Sequence, residues 1–119
     1  MRITLQVSFD LNDVIAAAKR SPYSYAAKKK KAQTAIVWLL KSQGVPVIPG
    51  RNHYAFTWYI KDRRKDPDNI AAGYKVIFDA MQEAGIIEND GHKQISGFSH
   101  EFKLDKKRPR VEITVNAAA

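Results

Sequence analysis

The sequence predicts one domain in which helices pack on a β-sheet. Three observations carry that expectation. Apolar residues alternate with polar ones over residues 2–9, 52–61 and 109–115, the period of strands. Apolar residues recur at helical spacing over residues 25–42 and 70–83. The chain has 119 residues, which suits a single domain spanning 1–119 and can bury enough surface to hold together without cross-links.

Taken in order, Ile3, Leu5, Val7 and Phe9 fall on one face of a first strand, with Thr4, Gln6 and Ser8 on the other. Asn12 or Asp13 is placed to cap a short helix through Ala18, and Ser21-Pro22 reads as a break. A long helix is expected from about Tyr25 to Ser42, with Ala32, Ile36, Leu39 and Leu40 as its apolar stripe and Gly44 as its stop. Lys28 to Lys31 wrap one full turn of it. Four lysines in a row read first as a solvated helix start, but they oppose the helix dipole at that end, which favours an external anion.

Val45 to Arg51 reads as a loop. The next strand is the most aromatic, with Tyr54, Phe56, Trp58 and Ile60 on one face, and a central place in the sheet is expected for it. Asn69 or Asp68 is the expected cap of the following helix, whose stripe is Ile70, Tyr74, Ile77, Phe78 and Met81. Gly73 disfavours a continuous helix, so either a loose beginning or a fresh start after it is expected, and Gly85 ends the element. Lys75 and Asp79 lie four apart, the spacing of an intrahelical ion pair. Residues 93–104 and 109–115 read as a hairpin around Asp105-Lys106-Lys107-Arg108, with Val111, Ile113 and Val115 facing inward.

Composition narrows the function. The net charge is +8, and so basic a surface attracts polyanions, nucleic acid above all. Seven of the twelve acids fall within residues 62–90, flanked on both sides by basic stretches. A metal-dependent nuclease wants that combination: cations for the phosphates and carboxylates for the metal. The chain has no cysteine, which excludes disulfides and thiolate metal sites and agrees with a reducing compartment. His53, His92 and His100 are scattered and lack zinc-helix spacing, so they read as surface or packing residues. No stretch approaches the ~20 apolar residues of a membrane helix, and no export signal is visible. A soluble, cytoplasmic protein without a membrane partner is expected.

The stretch Asp62-Arg63-Arg64-Lys65-Asp66-Pro67-Asp68-Asn69 concentrates this chemistry. Alternation would put Asp66 and Asp68 on the same side of an extended chain, and Pro67 pushes Asp66 out of the helical region. Paired carboxylates repel each other unless a cation sits between them. Mg²⁺ needs only one or two carboxylates plus water and phosphate oxygens. The plainer reading is a polar turn between strand and helix. Arg63, Arg64 and Lys65 are placed to hold a DNA backbone, with Lys103, Lys106 and Arg108 as further candidates.

Three linked segments carry a family likeness. They are the 62–69 stretch, then Lys75-Val76-Ile77-Phe78-Asp79-Ala80-Met81, then Ala84-Gly85-Ile86-Ile87-Glu88-Asn89-Asp90. In order and spacing they resemble the RusA-like Holliday-junction resolvases. The resemblance implies an α+β domain with helices on a mixed sheet, acting as a homodimer on branched DNA, the four-way junction. It implies that Asp66, Asp68 and Asp90 bind Mg²⁺, with Mn²⁺ as the alternative metal, and that Lys75 supports catalysis. Two departures stand out. The segment between Asn69 and Lys75 is about three residues longer than in the familiar form, and the first fifty residues lack a Pro- and Asn-rich segment. Two other functions stay open: a non-catalytic DNA-binding protein, such as a phage regulator, that keeps the fold, and a Mg²⁺-dependent nuclease without junction preference.

Overall fold

The structure is a computed structural model, and it describes residues 1–6, 22–64 and 66–118. The first strand, β1, is Arg2–Leu5. Val7 and Phe9, and the short helix expected through Ala18, lie outside the described residues. Helix α1 (Pro22–Ser42) starts earlier than expected. Pro22 opens the helix and does not interrupt the chain, because the first helical position needs no N–H and the ring presets φ. Then come β2 (Asn52–Ile60), the short α2 (Pro67–Ala71), α3 (Tyr74–Glu83), β3 (Ile95–Leu104) and β4 (Arg110–Ala117).

The four strands form one mixed sheet in the order β1-β4-β2-β3. β4 runs antiparallel to both β1 and β2, and β2 runs parallel to β3. The architecture is α+β, with β2 in the central place its aromatic pattern suggested. The expected β3–β4 hairpin does not form, because β2 lies between the two strands. Alternation reports which face a side chain takes; it says nothing of which strand lies alongside. Residues 105–109 instead cross over the end of β2, where the Asp105 N–H donates to the Ile60 carbonyl (2.8 Å). Asp105 shapes the crossing. Its Oδ1 accepts the N–H groups of Lys107 and Arg108 at 3.1 Å each, and its Oδ2 accepts from Arg110 Nη1 at 2.8 Å. The Arg110 guanidinium lies 3.8 Å from the centre of the Tyr59 ring, so the crossing is pinned to the sheet.

One face of the sheet carries the core. Ile3 and Leu5 of β1, Tyr54, Phe56 and Trp58 of β2, and Val111, Ile113 and Val115 of β4 are all buried. Ala32, Ile36 and Leu40 of α1 and Ile77, Phe78 and Met81 of α3 close over them. Each large side chain so buried contributes about 1.5–3 kcal/mol. A register shift between Asn52 and His53 leaves Ser96 as an extra residue on β3. It brings Phe98, His100 and Phe102 opposite Tyr54, Phe56 and Trp58, onto the core side.

Glycine does its expected work at the helix ends. Gly44 (φ 65°) and Gly85 (φ 75°) each follow a helix in the left-handed conformation. After α3, the Ile86 N–H reaches the Met81 carbonyl and the Gly85 N–H reaches the Gln82 carbonyl, a paired closure that satisfies the last turn. After α1, Val45 and Gly44 bond back to Leu40 and Lys41 in the same way. Of the two outcomes expected at Gly73, the fresh start occurs, since α2 ends at Ala71 and α3 begins at Tyr74. The extra residues between Asn69 and Lys75 therefore go into a separate short turn, not into a longer single helix.

His100 is a packing residue. Its ring stacks on Phe56 (5.1 Å between centroids), and its Nδ1 accepts the Trp58 Nε1–H at 2.9 Å. Burial holds its pKa below the ordinary histidine value of 6.5. A depressed folded-state pKa means the unfolded chain binds the proton more readily, so stability falls as pH drops below about 6.5. Between pH 7 and pH 5 the melting temperature should therefore fall more steeply than in His100→Asn, whose amide oxygen can keep accepting from Trp58 without titrating. Equal slopes in the two proteins would remove His100 from the acid response.

Candidate metal and nucleic-acid site

The C-terminal ends of the parallel pair β2 and β3 lie side by side, and the 62–69 stretch leaves from there. Asp62 turns the chain first. Its Oδ1 accepts the Arg64 N–H at 3.0 Å, and its Oδ2 lies 3.7 Å from Arg64 Nε. The Arg64 side chain is 89% exposed, so most of its donors face outward. Arg63 and Lys103 are exposed too, and they border a cavity of about 370 Å³ whose apolar lining includes Ile60, Ile70 and Phe102. Asp66 lies on the wall of the same cavity. Lys106 and Arg108 are exposed on the adjoining crossing. Lys65 lies outside the described residues.

Asp66, not Asp68 or Asn69, is the cap of α2. It is extended (φ −70°, ψ 146°), as Pro67 demands of the residue before it, and its carbonyl accepts the Ile70 N–H at 3.2 Å. Its carboxylate makes no capping bond and is exposed. Asp68 sits in the first turn of α2 and is also exposed. The two carboxylates are therefore not related by strand alternation. The chain becomes helical at Pro67, so one is the extended cap and the other is helical.

Asp90 is placed by different means. Its loop is tied to the start of β2, where the Asn52 N–H donates to the Gln94 carbonyl (2.9 Å) and Arg51 Nε donates to the His92 carbonyl (3.0 Å). Lys75 reaches Asp90 from α3, with Nζ 2.8 Å from Oδ2. Lys75 Nζ also lies 3.5 Å from Asp79 Oδ1, the expected intrahelical pair. Asp79 Oδ2 in turn takes Lys29 of α1 at 2.9 Å. Four alternating charges thus connect α1, α3 and the 86–94 loop: Lys29, Asp79, Lys75 and Asp90. The hydrogen bond that Lys75 donates to Asp90 raises its pKa above the ordinary lysine value; burial opposes that shift, and the charges of Asp79 and Asp90 add to it. Lys75 therefore stays protonated through the neutral range, and its part in the ion pairs is lost only as pH rises past that raised value. It is a cation at working pH, suited to holding negative charge and unsuited to act as a base.

The structure brings Lys75 and Asp90 together. Among the described residues, it does not gather three or more carboxylates or imidazoles in a metal-holding group. In kind, the donors suit a hard cation: Asp66, Asp68 and Asp90 offer only oxygen, as Mg²⁺ prefers. In place, Asp66 and Asp68 lie in the turn that follows β2, and Asp90 lies in the loop before β3, paired with Lys75.

The reading of the sequence missed Lys29 and the bridging role of Asp79. A signal for Lys29 existed: extended one turn toward the N-terminus, the stripe Ala32, Ile36, Leu40 lands on Lys29. That spacing singles it out among the four lysines as the one that turns inward.

Exposed cations and carboxylates at the strand ends of a basic α+β domain define a protein equipped to handle nucleic-acid phosphates. The chain belongs to the endodeoxyribonuclease RusA family, whose model matches residues 13–116 of the 119. The family is one of nucleases that act on Holliday junctions, so its members bind branched DNA. No curated protein matches the chain. Among the described residues, no helix is long and apolar enough to cross a membrane.

Proposed function

We propose that this protein is a divalent-metal-dependent endodeoxyribonuclease that resolves four-way DNA junctions by paired symmetric nicks, working as a homodimer. The observation that carries the reading is family membership over residues 13–116 in a chain that retains Asp66, Asp68, Asp90 and Lys75. Asp66, Asp68 and Asp90 would hold Mg²⁺, or Mn²⁺ in its place. The ion would activate water for attack on the scissile phosphate and offset charge on the leaving oxygen.

The chain's own residues do the rest. Lys75, protonated and anchored between Asp79 and Asp90, offers its charge to the phosphate as negative charge develops. Arg63, Arg64 and Lys103 hold the backbone beside the cavity, with Lys65, Lys106 and Arg108 extending the basic rim. One such site cuts one strand, so two symmetric nicks call for two sites related by a twofold axis.

One observation favours a second reading, a DNA binder that needs no metal: the described carboxylates are not gathered into a cluster. A single gel separates the readings. Labelled four-way junction and matched linear duplex are each incubated with Mg²⁺ and with EDTA. Paired nicks in the junction alone, and only with Mg²⁺, are expected. Binding without nicks selects the binder, and nicks in both substrates select a nuclease without junction preference. For the rim, Arg64→Ala should weaken junction binding and reduce the slope of log affinity against log salt by about one. An unchanged slope would place the phosphate contact elsewhere.

A further inference from the structure

The outward face of α1 is unlike the rest of the surface. Trp38 stands there 72% exposed, the most exposed large apolar side chain in the described residues. It lies directly opposite the buried stripe of Ile36 and Leu40. With Lys30, Lys31 and Thr34, at three- and four-residue steps before it, it lines a shallow groove of about 760 Å³. The helix contains five lysines and no acid. Asp79 neutralises Lys29 alone among them in the described structure, which leaves the groove lysines available.

We propose that this groove is a second DNA contact, in which Trp38 stacks on an unpaired base while Lys30 and Lys31 hold the phosphates of the same strand. An aromatic ring set in a cationic groove is how proteins hold single strands, because every base has a face to stack and every nucleotide a charge. The groove is separate from the candidate site. Lys29, one residue before Lys30, turns to the inward face of the helix, where it binds Asp79, which binds Lys75. Trp38 lies roughly 13 Å further along the helix than Lys29 and half a turn round it, on the outward face.

Other occupants fit less well. A second copy would oppose lysine to lysine. A membrane surface needs an apolar stripe, and the neighbours of Trp38 on this face are Lys31, Thr34, Ala35 and Lys41. The inference takes DNA as the polyanion from the family reading, but it does not depend on metal binding or on cleavage.

The test is therefore run in EDTA, with a 20-mer of thymidylate, a linear duplex and phosphatidylglycerol vesicles as probes. Indole fluorescence should be quenched by the single strand, and the quenching should vanish in Trp38→Phe, because Trp58 is buried. Trp38→Ala should bind the single strand about ten-fold more weakly and Trp38→Phe within about two-fold of the unchanged protein, with duplex binding altered less than either. The double variant Lys30→Ala/Lys31→Ala should flatten the single-strand salt slope by about 1.4. Single-strand affinity unchanged in Trp38→Ala would overturn the proposal. So would a fluorescence response to vesicles and none to DNA, or sedimentation showing that Trp38→Ala loses affinity because an oligomer has come apart. A chain that never cuts a junction would still give the expected quenching, so failure here is distinct from failure of the nuclease reading.

Discussion

Asp68→Asn is expected to abolish junction cleavage in Mg²⁺ while leaving junction binding near that of the unchanged protein. The replacement keeps the shape of the side chain and removes one anionic oxygen donor. It also removes a negative charge from a surface that must approach phosphate, so binding has no electrostatic reason to weaken. Asp68 is exposed in the first turn of α2, where its charge is worth roughly 0.3–1 kcal/mol to the helix, too little to unfold the domain. Cleavage of a labelled junction in Mg²⁺ and a gel shift in EDTA read the two quantities separately. Cleavage at the unchanged rate would mean that Asp68 is not a metal ligand, and the proposed site would fall with it.

The largest loss of stability is expected from Phe78→Ala. Phe78 is 2% exposed and is met by four rings: Tyr54 at 5.3 Å, Phe56 at 5.6 Å, Tyr74 at 5.8 Å and Phe98 at 6.0 Å between centroids. All four of those contacts are edge-on, the favoured geometry, and the ring sits where α3 meets β2 and β3. Its removal loses the transfer free energy and leaves a cavity, together about 3–5 kcal/mol. The Tyr54 hydroxyl is buried beside it without a hydrogen-bond partner among the described residues, so water entering the cavity would recover part of the cost. A domain of this size is stable by about 5–15 kcal/mol. The variant should therefore show a clearly lower denaturant midpoint with an unchanged slope. A loss below about 1 kcal/mol would show that α3 is not held by this ring cluster.

The ring cluster also shows how much of the fold could be read in the sequence. Tyr54, Phe56 and Trp58 alternate and Ile77, Phe78 and Met81 recur at helical spacing, and every one of them is buried. Periodicity reports a face, and a face is a local property of the backbone. The punctuation was equally local. Gly44, Gly73 and Gly85 mark where α1 ends, where the helical segment restarts and where α3 ends, because each depends on a few neighbouring dihedral angles.

The order of the strands was not legible. Nothing in the alternation of β3 and β4 announces that β2 comes between them, and a five-residue connection is short enough to look like a hairpin. The placement of Asp68 failed for a related reason. Its relation to Asp66 depends on whether the chain is extended or helical at Pro67, and a proline at the first helical position permits the second.

By itself the sequence determined the faces of the strands and helices, the helix ends, the basic character of the surface and the residues that mark the RusA family. Only the tertiary structure decided which charges meet. Lys75 joins Asp90 across fifteen positions, and Asp79 joins Lys29 across fifty. It also left Trp38 facing outward among lysines. Charge is a property of a residue, but pairing depends on the chain's path through space. That path is set by the packing of the core, far from the groups it brings together.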